Sequence, residues 1–295
     1  MRVFRLHIIL TVFLAAMMLS CEDDFLPQDQ DVIIVEGWID EGGFPVVIVT
    51  RSLPVRLRDD AVQLEDLSDY VVKLARVTVS DGVNSVILTG HRDSRYVPGY
   101  VYTSSYLRGE AGKTYTLTVR SGGRSVTAET TIPQYSPTVD SVVCRHAPSD
   151  TSMCEVTAYV RRHSGTDEYF KSFYQEGAGQ VQYLSSFLGV VDGSLTDSLF
   201  TMPVIKGVSD YNKDDDSRFF ANDTLVRLKI SAMDDISYEI WRSYEDNNRF
   251  RSMFLSSSVR DVATNIEGGR GYWCGFNSFF IDFKAAPGTY PGNNL

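Results

Sequence analysis

Metal-binding and nucleophilic residues are scarce in this sequence. Of 295 residues only four are histidine and four are cysteine. His91, His146 and His163 are far apart, and each stands beside an arginine in a turn-like stretch. There is no His-Glu-x-x-His or Cys-x-x-Cys pair, so zinc chemistry has no obvious ligands. Neither a Gly-x-Ser-x-Gly nucleophile turn nor a phosphate-cradling loop ending in Lys-Ser/Thr occurs. We therefore expect no catalytic residues, no metal and no enzymatic activity. Basic charge is also short: 28 Lys+Arg against 38 Asp+Glu leave a formal net charge of −10. A phosphate binder needs a basic surface, which excludes nucleic acid as a partner. The same balance disfavours electrostatic adhesion to anionic lipid. Beyond residue 20, no apolar run approaches the roughly 20 residues that span a hydrocarbon core.

One shorter apolar run is present at the start. Arg2 and Arg5 precede a stretch from Ile8 to Leu19 that is interrupted only by Thr11, and Ser20-Cys21 follows. Basic, apolar and small-residue segments in this order predict a cleavable signal peptide over residues 1–20. Met18-Leu19-Ser20-Cys21 resembles the lipobox of bacterial lipoproteins, with Met18 where leucine is usual. The resemblance implies that Cys21 receives lipid, including palmitate-type acyl chains, and becomes the first mature residue. A multiply acylated cysteine is a firm anchor, since each buried methylene contributes about 0.8 kcal/mol. No cofactor is expected beyond this covalent lipid. Residues 21–31 form an acidic tether without periodicity.

The 43% hydrophobic and 12% aromatic content that remains is that of a globular chain. Period-two alternation dominates it. Val77 and Val79 alternate with Arg76 and Thr78, Tyr115, Leu117 and Val119 with Thr116 and Thr118, and Val226, Leu228 and Ile230 with Arg227 and Lys229. Gly-, Asp- and Asn-rich turns bound the first two runs. Such runs are half-buried strands, and their spacing predicts an all-β fold of two β-sandwich-like domains. The first, over residues 32–134, would be immunoglobulin- or transthyretin-like; the second, a β-rich domain, covers 135–295. One helix is expected in the second, with Asp234 or Asp235 as N-cap and Ile236, Ile240 and Tyr244 on one face.

Four segments are candidates for more than scaffold. Cys144 and Cys154 flank a turn-rich stretch, so they either pair across a hairpin or are two buried thiols. Cys274 is left over as a small core residue. Asp210, Asn212, Asp214 and Asp216 place oxygens on alternate residues, as calcium loops do, but Asp215 and Ala221 stand where an EF-hand needs glycine and glutamate. An exposed acidic loop is the simpler reading. In Asn265–Trp273 the glycines fit positive-φ turns beside a sheet. The aromatic run Tyr272, Trp273, Phe276, Phe279 and Phe280 is either core, the preferred reading, or a surface on which a sugar could stack.

Several segments in one order carry a family resemblance: Val35-Glu36-Gly37-Trp38-Ile39, Gly112–Leu117, Thr131-Ile132-Pro133, Val139-Asp140-Ser141 and Asn265–Gly269. Together they are similar to the Bacteroidota lipoproteins catalogued as domain of unknown function 4249; Arg270 and Trp273-Cys274 depart from that pattern. The resemblance carries over no catalytic residue. It implies an outer-membrane address, with Glu22, Asp23 and Asp24 resembling a signal for export to the outer face. It also implies a non-catalytic role in capturing nutrients beside a TonB-dependent transporter. The alternative is a structural or adhesive surface protein without a small ligand. An aromatic-lined cleft would favour capture, and a filled interior the structural role.

Overall fold

Strand-forming alternation fills almost every described segment, and the computed structural model realises it as two sheets and one long helix. It describes residues 32–52, 66–148, 150–163, 168–177, 182–206, 218–253 and 262–292. The expectations for the signal peptide, Cys21, Glu22, Asp23, Asp24 and the acidic loop 210–216 lie outside the described residues.

The first half runs β1 (Ile33–Asp40), β2 (Val46–Arg51), β3 (Arg76–Ser80), β4 (Ser85–Arg92), β5 (Tyr100–Thr103), β6 (Thr114–Ser121) and β7 (Arg124–Thr131). The second adds β8 (Thr138–Ala147), β9 (Asp150–Arg161), β10 (Tyr169–Glu176), β11 (Leu184–Asp192), β12 (Leu199–Val204), β13 (Phe220–Ala221), β14 (Leu225–Met233), α1 (Asp235–Met253), β15 (Arg270–Lys284) and β16 (Gly288–Pro291). An 11-stranded sheet has the order β11-β10-β14-β15-β1-β2-β5-β4-β3-β6-β7, and a 5-stranded sheet pairs β12-β9-β8-β16 with β13 on β9. Among the described residues the fold is all-β with one long helix.

The boundary expected near residue 134 falls inside a single compact unit, Val32–Leu295. The reason is β15. It pairs with β1 in parallel and with β14 antiparallel, so it joins the two halves in one sheet. The face that carries its odd-numbered residues serves both cores, one towards each end of the strand. Trp273 enters the first core with Val35, Ile39 and Tyr115, while Ile281 and Phe283 enter the second with Val156, Phe170 and Leu228. Gly271 makes the parallel pairing possible: it has φ +106°, and a Cβ there would lie 1.9 Å from the Val35 carbonyl oxygen. The glycine-rich segment thus serves positive-φ backbone against a sheet, Gly268 included at φ +77°.

Helix α1 starts where Asp234 Oδ1 accepts from the Ser237 N–H at 2.8 Å, so Asp234 is the N-cap. Its buried face differs from the expected one. Ile240 and Trp241 are buried, whereas Ile236 and Tyr244 are 47% and 44% exposed. The helix packs by Trp241 against Phe173 and Tyr272, turning the interior stripe one position on from Ile236 and Tyr244.

Candidate functional site

The second face of the large sheet is not solvent. Alternation puts Glu36, Trp38 and Asp40 of β1, Lys171 and Phe173 of β10, Lys229 of β14 and Tyr272, Cys274 and Phe276 of β15 on it. Helix α1 covers part of this face with Trp241, and Phe173, Met233, Cys274 and Phe276 form a third apolar cluster beneath it. Beside the cluster the face stays open as a cavity of about 200 Å³. Trp38, Tyr96, Tyr183 and Trp241 contribute its aromatic walls, and among the described residues Lys229 and Asp40 are its only charged lining groups. A neighbouring hollow of about 540 Å³ shares Gln182, Tyr183, Ser185, Trp241 and Tyr272 with it. The two form one groove.

The polar centre of the cavity is an ion pair. Lys229 Nζ lies 2.6 Å from Asp40 Oδ1, with side-chain exposures of 5% and 21%. Ser278 Oγ donates to the same oxygen at 3.0 Å. The ammonium also sits over aromatic rings, 4.8 Å from the centroid of Phe276 and 5.5 Å from those of Phe173 and Tyr183. Ring faces are negative, so this cage stabilises a cation that has lost its water.

Behind the wall is a second pair. Lys171, fully buried, bonds Glu245 Oε1 at 2.7 Å and the Ser186 carbonyl at 2.8 Å, and the Gly189 N–H donates to the same Glu245 oxygen. Burial pulls the Lys171 pKa down, and Glu245 opposes that. With all these contacts internal, the pair fastens α1 to β10 and β11 and so holds Trp241 in the wall.

The mouth is built by the β4–β5 connection. Tyr96 approaches Trp38 with ring centroids 6.2 Å apart, and the Val97 N–H donates to Gln182 Oε1 at 3.0 Å. Burial raises the hydroxyl pKa of Tyr183 to about 12 and that of Tyr272 well above its usual range. Both therefore remain neutral donors at physiological pH. Glu36 lines the neighbouring hollow, and burial raises its carboxyl too.

Residues singled out in the sequence distribute unevenly over this geometry. The aromatic run splits by parity: Trp273 is fully buried core and Phe279 packs on the second core, while Tyr272 and Phe276 line the cavity and Phe280 is 43% exposed. His91 and His146 are exposed on strands, and His163 Nδ1 lies 2.7 Å from Glu168 Oε1. Among the described residues, no group of three or more His, Cys, Asp or Glu could hold a metal ion, and no helix is long and apolar enough to cross a membrane. Cys144, Cys154 and Cys274 are free, buried thiols. Cys144 stands opposite Val156 and Cys154 opposite His146, which makes the two cysteines diagonal neighbours. Diagonal Cα atoms are about 7–8 Å apart, beyond the usual disulfide span. The hairpin exists, but its register leaves them unbridged.

Neither Lys229, Asp40 nor Trp241 stands out in the sequence, and Trp38 does so only within the family-like segment Val35–Ile39. Arg227 and Lys229 read as the solvent side of an alternating strand. The one available signal was a tryptophan, Trp38, on the supposed polar side of β1.

Fold and groove together define an all-β protein with an aromatic-walled, ion-pair-floored cleft. The model of the family described as domain of unknown function (DUF4249) matches residues 22–279, and the chain belongs to that family. No curated protein matches it significantly.

Proposed function

We propose that this protein is a surface-exposed, lipid-anchored binding protein of a Bacteroidota outer membrane, which captures a small nutrient for a TonB-dependent transporter without acting on it chemically. The observation that carries the reading is the groove itself. Its aromatic walls leave a concave apolar surface with a few convergent polar groups, the usual make-up of a small-molecule site. The charged groups at its floor engage each other, which suits holding a ligand rather than transferring its protons. The anchor rests on the basic, apolar and small-residue order ending at Cys21, and exposure on Glu22, Asp23 and Asp24.

Three measurements test this. Affinity purification from the native membrane is expected to bring down a transporter barrel. Deleting the gene, with the transporter intact, is expected to slow growth on at least one scarce nutrient. Cys21→Ala should leave the protein unlipidated and absent from the membrane fraction. Unchanged growth throughout, with no barrel recovered, would favour the structural or adhesive role instead.

A further inference from the structure

Building on that reading, we propose that the groove takes a neutral, hydroxyl-rich ring: a saccharide unit stacked on Trp38, Tyr96 and Trp241, with its hydroxyls read by Asp40 and Lys229.

Charge sets the first constraint. Among the described residues, the only charged groups lining the cavity are Lys229 and Asp40, and they neutralise each other across 2.6 Å. The adjoining hollow likewise adds one acid, Glu36, and one base, Arg270. An anionic or cationic ligand would have to give up its water without gaining an uncompensated opposite charge, which is costly.

Polarity sets the second. Lys229 has three N–H donors, and among the described residues its one oxygen partner is Asp40. Asp40 Oδ1 receives both Lys229 and Ser278, which leaves acceptor capacity on the carboxylate. Gln182, Ser185 and the neutral Tyr183 hydroxyl add donors and acceptors along the groove. A wholly apolar ligand would dry these groups without replacing their hydrogen bonds.

Shape sets the third. Trp38 and Tyr96 stand together at the mouth, and Trp241 and Tyr272 continue the aromatic surface at 5.3 Å between centroids. Flat aromatic walls favour a ligand with a flat apolar face. A sugar ring meets all three conditions at once. Its C–H faces stack, and adjacent rim hydroxyls both donate to a carboxylate and accept from an ammonium. Continuity of the cavity with the larger hollow suits a second linked ring, so an oligosaccharide end fits better than a free monosaccharide.

The test uses the full-length lipidated protein purified in detergent, titrated with maltose, cellobiose, xylobiose, glucose and galactose. Glucuronate, glucosamine and N-acetyltryptophanamide are the comparators. Calorimetry and tryptophan fluorescence are read together, because two of the three tryptophans line the cavity. At least one neutral disaccharide should bind and change the fluorescence, with an affinity insensitive to salt, as the sugar carries no charge to be screened. Asp40→Asn and Lys229→Met should each weaken binding at least tenfold. Tyr96→Ala, on the β4–β5 connection and away from the cores, should weaken it several-fold without altering the unfolding midpoint. That variant keeps the idea testable should the floor substitutions fail to fold. No saccharide binding, or binding indifferent to Tyr96→Ala, overturns the proposal. Tighter binding of glucuronate or glucosamine than of every neutral sugar overturns it as well. Binding of N-acetyltryptophanamide alone, lost in the same variants, overturns the sugar class yet leaves ligand capture standing.

Discussion

Burial decides what the individual titratable residues do. Glu36 alternates with core residues along β1 and so stands on the covered second face, where desolvation raises its carboxyl above the ordinary 4.5. The folded state then binds this proton more tightly than the unfolded state. The associated stability is fully present below about pH 4.5 and is lost as pH rises through the folded value. Glu36→Gln should therefore raise the thermal midpoint at pH 7, and the gain should shrink towards zero as the buffer is taken below pH 4.5, followed by circular dichroism. The cysteines obey the same rule. Burial pushes the thiols of Cys144 and Cys274 up to about 12, so almost no thiolate exists at pH 8. We expect no labelling of Cys144, Cys154 or Cys274 by a disulfide reagent in the native protein and labelling of all three after unfolding. Peptide mapping without reduction should find Cys144 and Cys154 unlinked; a linked pair would show that the hairpin shifts register. The sequence marked Cys274 as a core residue and left Cys144 and Cys154 as a pair or as buried thiols, whereas Glu36 showed no sign of its cover, because alternation gives parity and not what covers each face.

At the scale of elements, the strands were legible and the helix only in part. Hydrophobic alternation over Val77–Val79, Tyr115–Val119 and Val226–Ile230 marks residues that one face must bury, and all three runs are strands. The cap of α1 was legible too, since Asp234 sits where an N-cap oxygen is needed. Its buried face was not. Ile236 and Tyr244 look apolar, yet the docking of Trp241 on Phe173 sets the rotation, and that contact joins residues far apart along the chain. Asp234 has a second task that no local pattern shows: Oδ2 accepts from Thr130 Oγ1 at 2.9 Å and the Thr131 N–H at 2.7 Å. One carboxylate thereby caps the helix and ties it to the end of β7. Asp234→Ala should cost about 2 kcal/mol by urea denaturation. Asp234→Asn should recover part of that, because its amide oxygen still serves one of the two sets of donors.

For the whole molecule, the shared sheet predicts cooperativity. Trp273 is fully buried in the first core and donates through Nε1 to the Tyr115 carbonyl at 2.9 Å, while the same strand carries Phe283 into the second core. Tryptophan fluorescence and far-ultraviolet dichroism should follow one coincident urea transition. Trp273→Ala, at a cost of about 3–5 kcal/mol, should move that whole transition to lower urea. Two separated transitions would show that the halves unfold independently despite their common strand.

The sequence by itself determined the all-β class, most strand positions, the helix cap and the turn glycines. Each follows from short-range rules of alternation, capping and backbone sterics that act within a few residues. The cleft was decided only by tertiary structure. Its floor pairs Asp40 with Lys229, nearly two hundred residues away along the chain, and its walls bring together residues of β1, the β4–β5 connection, α1 and β15. That convergence depends on β15 joining β1 in parallel. A parallel partner is chosen by which distant strand completes the sheet, and no local pattern along either strand encodes it.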